Sequence, residues 1–261
     1  MGRVIDLHCH LLAGIDDGPA TSAEAVALGE ALVAAGVTRV VTTPHVGPNY
    51  PNDAERIHVA WLELVAALGR AHVPLEVLKG AELDLLYTQG LDAEELGRLA
   101  LGPDGPLLVE CPFSAVMPQF EQLVAGLHAM GHRVLLAHPE RSPVFLREPE
   151  LLRRLVAAGA MASLTGSSFA GRFGRTAQRY ATWAVDEELA HDVSSDAHDT
   201  VKRPPVLAEA LEQAGYGWTA AWLTREAPAA ILAGTELPPR PTAPAAGGWA
   251  RLRRARGGRA D

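Results

Sequence analysis

The chain has 261 residues, a formal net charge of −8, and a composition that is 48% hydrophobic and 21% charged. That balance suits one packed domain and argues against disorder, generic nucleic-acid binding and, with no apolar run of about 18 residues, a membrane span. Two cysteines without a CxxC pair rule against a disulfide framework and fit a reducing, cytoplasmic setting with no leader segment.

The first strand is expected at "RVIDLH" (3–8). Alternation puts Asp6, His8 and His10 on one face and Ile5, Leu7 and Cys9 on the other. Asp6 lies deeper on that face, either orienting an imidazole or serving as a buried structural acid. A helix over 22–36 follows, capped by Thr21 or Ser22 and closed by Gly36. Further strands are expected at 38–45, 75–83, 105–111, 132–139, 160–166 and 189–198. Helices are expected at 53–71, 117–130, 148–158, 175–189, 205–214 and 226–233.

Seven strands alternating with helices or long loops predict an α/β fold, a TIM-like closed barrel with one strand missing, occupying residues 1–236. The Pro-, Gly-, Ala- and Arg-rich stretch 237–261 is expected to be a mobile tail.

In such barrels the chemistry gathers at the carboxyl ends of the strands. Those ends, with the turns just after them, carry His8, His10, Asp17, His45, Glu82, Glu110, His138, Asp196 and His198. One such residue alone is more often structural than ligating. Nine acids and imidazoles on one rim repel or desolvate one another unless cations sit among them. Imidazole and carboxylate donors without thiolate suit manganese, iron or zinc. Clustered divalent ions supply hydroxide near neutral pH and clamp phosphoryl oxygens.

Arg141 in "HPER" and Arg203 in "DTVKR" follow ligand types on the same rim, so each is a fork for phosphate oxygens or a salt bridge to a rim acid. The prolines after Arg203 are expected to fix its loop. Neither cysteine has an arginine six residues on (Ile15 and Met117 stand there), so both read as core residues rather than phosphatase nucleophiles.

The succession "DLHCH", "IDDG", "TPH", "GAEL", "VEC", "AHPER" and "SDAH" resembles the PHP (polymerase and histidinol phosphatase) superfamily. Within it, the bacterial metal-dependent protein-tyrosine phosphatases linked to capsule and exopolysaccharide synthesis are most similar. The resemblance implies a distorted (β/α)7 barrel and two to three divalent ions, manganese first, with iron or zinc as alternatives. It implies one ion on His8, His10, Glu82 and Asp196, a second on Glu82, Glu110 and His138, and a third on Asp17, His45 and His198. Arg141 and Arg203 would hold the substrate phosphate, and the partner would be a phosphotyrosine protein such as the tail of a bacterial tyrosine kinase. The competing readings are a histidinol-phosphatase-like enzyme for small phosphomonoesters, a metal-dependent nuclease, and a binding module with a degraded site.

Overall fold

The computed structural model describes residues 3–114 and 116–244. The expected strands form, but two of them form in pieces. β1 (Val4–Cys9) is buried along its whole length, as in a parallel sheet covered on both faces. The strand expected over 38–45 divides into β2 (Val37–Thr42) and β3 (His45–Val46), with Thr43 and Pro44 at the break. Pro44 has no N–H to give a ladder. The strand expected over 75–83 divides at Gly80 and Ala81 into β4 (Glu76–Lys79) and β5 (Glu82–Leu83). A side chain at Gly80 would meet Leu101 at 2.7 Å, so glycine admits the close packing at that break. β6 (Leu107–Glu110), β7 (Val134–Ala137), β8 (Met161–Thr165) and β9 (Asp192–Ser194) complete the set.

These strands do not make one continuous closed barrel. They form two all-parallel sheets, β1-β2-β4 and β3-β5-β6-β7-β8-β9, because the breaks at Pro44 and Gly80 interrupt the ladder. Backbone bonds still cross the breaks: Thr43 N–H donates to Cys9 C=O (2.8 Å) and Glu82 N–H to Pro44 C=O (3.0 Å). The free edges of β1 and β9 meet at an isolated bridge, Cys9 to Ala197, where His10 N–H donates to Ala197 C=O (2.9 Å) and Asp196 N–H to His8 C=O (2.8 Å).

The helices are α1 (Ser22–Ala34), α2 (Ala54–Arg70), α3 (Ala93–Arg98), α4 (Phe120–Ala129), α5 (Pro143–Arg147), α6 (Glu150–Ala157), α7 (Gly166–Phe169), α8 (Gly174–Asp186), α9 (Ala208–Gln213), α10 (Gly217–Ala221) and α11 (Ala227–Ala233). Thr21 Oγ1 caps α1 by accepting from Glu24 N–H, as its sequence predicts. A π-helical turn, Trp222–Glu226, joins α10 to α11. One large apolar cluster spans the strands and helices, and a smaller one gathers Ile5, Leu7, Val41, Leu108, Leu135 and Ile231. Among the described residues no helix is long and apolar enough to cross a membrane.

The start of the expected tail is tied down. Leu237 packs on both clusters, Trp222 Nε1–H donates to Pro238 C=O (3.1 Å), and the Arg240 guanidinium lies 4.1 Å from the Trp222 ring while donating to Ala190 C=O (2.6 Å). From residue 245 on, the segment lies outside the described residues.

Candidate metal centre

Strand ends deliver the nine residues to one rim. β1 runs into His8 and His10, β3 opens on His45, β5 on Glu82, β6 ends at Glu110, and His138 follows β7. Asp196 and His198 follow β9, while Asp17 arrives from the turn after β1. His138 and Asp196 both adopt left-handed backbone, with φ of 39° and 51°. Non-glycine residues rarely hold that conformation, and strain of this kind concentrates where a side chain must be aimed.

At the floor of the rim, His8 Nε2 lies 3.1 Å from Glu82 Oε2 and 3.4 Å from Asp196 Oδ1. His10 Nε2 lies 3.2 and 3.6 Å from the same two oxygens, and 3.2 Å from His8 Nε2. All four side chains are buried. The other oxygen of Glu82, Oε1, is 2.8 Å from His138 Nε2. Higher on the rim, Asp17 Oδ1 stands 3.2 Å from His198 Nε2 and 3.5 Å from His45 Nε2, and His45 Nδ1 is 3.2 Å from Glu82 Oε2.

Donor atoms group within 4.8 Å of one another in three sets: His8, His10 and Glu82; His10, Asp17, His45 and His198; and His45, Glu82 and Glu110. The second set adds His10 to the trio that the family resemblance implied. In the third, His45 stands beside Glu110 where His138 was expected.

The imidazoles are oriented from behind. His10 Nδ1 pairs with Asp16 Oδ2 at 2.7 Å, and His198 Nδ1 with Asp196 C=O at 3.0 Å, so each ring turns the Nε2 lone pair toward the rim. Asp16 also accepts from His45 N–H (3.1 Å) and Gly18 N–H (3.0 Å). Sequence reasoning passed over Asp16. The signal was there in the doubled acid of "IDDG", but nothing in the pattern says which aspartate faces which ring.

Asp6 takes the structural role rather than orienting an imidazole. Its Oδ1 accepts from Ser195 N–H (2.9 Å) and His8 N–H (3.3 Å), and its Oδ2 accepts from Ser195 Oγ–H (2.5 Å).

Both arginines reach this centre. Arg141 Nη1 and Arg203 Nη2 donate to the same oxygen, Asp196 Oδ2, the second at 2.7 Å, and Arg203 Nη1 lies 3.5 Å from Asp17 Oδ2. The salt-bridge reading of each arginine is therefore realised, yet the forks are not exhausted: Arg203 Nε is buried with no partner among the described residues. Asp199 fixes the Arg203 loop, accepting from the N–H of Val201, Lys202 and Arg203. Beside Arg141, the buried Glu140 accepts from Thr165 N–H (2.8 Å) and Ser168 Oγ–H (2.7 Å), anchoring the turn after β7 to β8 and α7.

Electrostatics separate the groups. Against the upward push of burial, the close approach of His8, His10 and His138 holds Glu82 well below the usual carboxylate range. Asp196 is likewise held low against burial, by His8, Arg203, His138 and Arg141, and Asp17 by His198, His10 and His45. Burial and the neighbouring Glu82 charge push Glu110 up to about 8. Burial lowers His138 and His45, and takes His198 down to about 4. Against burial, His10 is raised to about 10 by Asp16 and Glu82.

The donor set fits divalent metal. Glu82 Oε2, Asp196 Oδ1 and His198 Nε2 are buried without a hydrogen-bond partner among the described residues, and they border the points where the lone pairs converge. Ionised carboxylates and imidazole lone pairs are the donor forms that a divalent cation takes, and this pocket gathers both. Cys9 and Cys111 stand apart from this chemistry: both are fully buried, and burial raises both thiols well above their ordinary range.

Comparison with known proteins sets this rim in context. Residues 4–221 match the family described as capsular polysaccharide synthesis, CpsB/CapC. The tyrosine-protein phosphatase YwqE of Bacillus subtilis is 34% identical over 209 residues, covering 80% of this chain and 82% of the relative. A putative tyrosine-protein phosphatase CapC of Staphylococcus aureus is 31% identical, covering 79% and 81%. A structure from work on YwqE of Bacillus subtilis and CpsB of Streptococcus pneumoniae, described as unique metal-dependent tyrosine phosphatases, superposes with a TM-score of 0.79. It shares 31% identity and covers 92% of this chain and all of that one. A phosphotriesterase homology protein of Escherichia coli, at 13% identity and a TM-score of 0.58 over 88% and 98%, shares the fold alone.

Proposed function

The chain belongs to the CpsB/CapC family of capsular polysaccharide synthesis, and from that premise we propose that it is a metal-dependent phosphatase acting on phosphotyrosine in protein. It is a phosphoric monoester hydrolase whose chemistry uses neither cysteine. The observation that carries this reading is the convergence of His8 Nε2, His10 Nε2, Glu82 Oε2 and Asp196 Oδ1 in a buried pocket, with two arginine forks at its edge.

Two to three divalent ions would be held here. His8, His10, Glu82 and Asp196 would hold one. Glu82 would be shared with a second held by Glu110 and His138, and Asp17, His45 and His198 would hold a third, with His10 alongside. The imidazole and carboxylate donors favour manganese, with iron or zinc as alternatives. Bound there, divalent ions supply positive charge to the phosphoryl oxygens and make water acidic enough to deprotonate near neutral pH. The proposal includes a (β/α)7 barrel over residues 1–236, which the Cys9–Ala197 bridge between the sheet edges supports.

The chain's own residues do the rest. Asp196 Oδ2 gathers Arg141 and Arg203 on one side of the pocket, leaving their remaining N–H groups for the equatorial oxygens of the phosphoryl group. Asp16 and the Asp196 carbonyl hold His10 and His198 with their lone pairs forward. Tyrosine leaves as a phenolate whose conjugate acid has a pKa of about 10, far lower than that of a serine alcohol, so no dedicated proton donor is required. The physiological substrate proposed is the phosphorylated tail of a bacterial tyrosine kinase, met in the cytoplasm.

The test is turnover of a phosphotyrosine peptide and of histidinol phosphate by metal-stripped protein, with manganese, iron, zinc or magnesium restored and metal content measured in parallel. Metal-restored preference for the peptide is expected. Preference for histidinol phosphate would move the substrate, and a filled site without turnover would remove the enzymatic reading.

A further inference from the structure

A cavity of about 220 Å³ opens directly beside the metal centre, lined by His45, Pro48, Tyr50, Glu110 and Phe113 among others. Its aromatic walls rest on two candidate ligands. The Tyr50 ring lies over His45 with centroids 5.5 Å apart and planes within 11°, and the Phe113 ring lies 5.6 Å from the ring of His138. His45 and His138 each touch a different oxygen of Glu82. Each aromatic ring therefore packs on an imidazole that contacts the Glu82 carboxylate.

Phe113 is 51% exposed and lines the cavity. The Arg141 guanidinium stands 5.5 Å from its ring and is held at the other end by Asp196. A phosphoryl group at Arg141 therefore has an apolar aromatic face within one ring's reach. Asp84, which also lines the cavity, spends its Oδ1 on the N–H groups of Leu86 and Tyr87 (2.8 and 3.0 Å).

Resting on the phosphatase reading above, we infer that Phe113 and Tyr50 form the slot for the substrate's phenyl ring and so determine the preference for aryl over alkyl phosphate. The cavity is too small for a whole drug-sized ligand and suits one ring. Aromatic walls gain from an offset-stacked or edge-on ring beyond simple area burial. A phosphoserine, with one carbon between backbone and phosphate, brings no ring to the walls. Aryl preference then has two sources in this protein: the better leaving group, which acts in the chemical step, and the slot, which acts in binding.

That separation sets the test. Steady-state kinetics on a phosphotyrosine peptide and a phosphoserine peptide of the same sequence would be measured for the wild-type holoenzyme, Phe113→Ala, Phe113→Trp and Tyr50→Ala. Phe113→Ala is expected to raise KM for the phosphotyrosine peptide roughly three- to tenfold, with kcat changing less than twofold. The aryl-to-alkyl ratio of kcat/KM should fall by the same factor, Phe113→Trp should restore it, and Tyr50→Ala should act in the same direction independently. Equal losses on both peptides, an unchanged KM, or a loss confined to kcat would overturn the slot while leaving the phosphatase reading intact. A wild-type holoenzyme that turns over neither peptide would overturn both.

Discussion

Two layers of buried acid lie along the same strands, and they are built on opposite principles. In the inner layer, Asp192 accepts from the hydroxyls of both Ser163 and Ser194, while Asp6 takes the amide and hydroxyl of Ser195. Burial pushes Asp192 up to about 7 and Asp6 up to about 6, both well above the ordinary aspartate range. On the rim, Glu82 and Asp196 are equally buried, but imidazoles and arginines hold them ionised. Each has an oxygen without a hydrogen-bond partner among the described residues, and so does Asp192 through Oδ1, so the two layers differ in charge rather than in satisfaction. A buried acid pushed up by burial and met by hydroxyls is part of the scaffold, whereas one held charged among imidazoles and arginines is a place for something else.

The largest test of that contrast is Glu82→Gln. It should lower phosphatase activity by about a thousandfold or more and reduce bound metal, since Glu82 contacts His8, His10, His45 and His138. The metal-free variant should unfold at a somewhat lower temperature than the metal-free wild type, because the imidazoles that hold Glu82 ionised lose their counter-charge. A folding failure on that substitution would make the rim scaffold after all.

Chelation of the wild type should abolish activity reversibly and lower the unfolding midpoint by several degrees. An ion held at a hundredfold its dissociation constant contributes about 2.7 kcal/mol to the folded state. Calorimetry with and without chelator checks this, and an unchanged midpoint would count against occupancy of the rim.

Asp16→Asn is expected to cost about ten- to a hundredfold in metal affinity or activity, because it loosens His10 without removing a donor. Metal titration monitored by activity reads it directly.

Asp192→Asn should have the smallest effect, roughly 1 kcal/mol of stability and little change in turnover. Its pH dependence is diagnostic. The folded acid titrates near 7, above its ordinary value of 3.8, so the folded state binds more protons between those values. Its contribution to stability is fully present below about 3.8 and is lost as pH rises through 7. Denaturant melts of wild type and variant should diverge as pH falls from 7 toward 4, with the wild type gaining.

Much of this was legible beforehand because strand ends announce themselves. Apolar runs ending in His, Glu or Asp placed all nine rim residues at one end of the sheets, and "HPER" and "VKR" put two arginines beside them. What escaped was local. Only the three-dimensional ladder reveals that Pro44 and Gly80 split two strands and divide the ladder into two sheets. The helix Ala93–Arg98 carried a readable start, the Asp92 and Glu95 capping box, yet it is too short to show an apolar period. Asp16, Glu140 and the slot residues Tyr50 and Phe113 act through long-range neighbours, and nothing in their immediate sequence names those neighbours.

The clasp between Asp6 and Ser195 joins positions 189 residues apart. His8 and His10 are synthesised well before Asp196 and His198, so the nascent chain carries only part of the rim until the last strand emerges. Closing so long a loop is entropically slow, which makes docking of the last strand the step that completes the site. Completion of the rim is thereby deferred to the end of folding, and a chain stopped short of residue 196 lacks the acid that gathers both arginines.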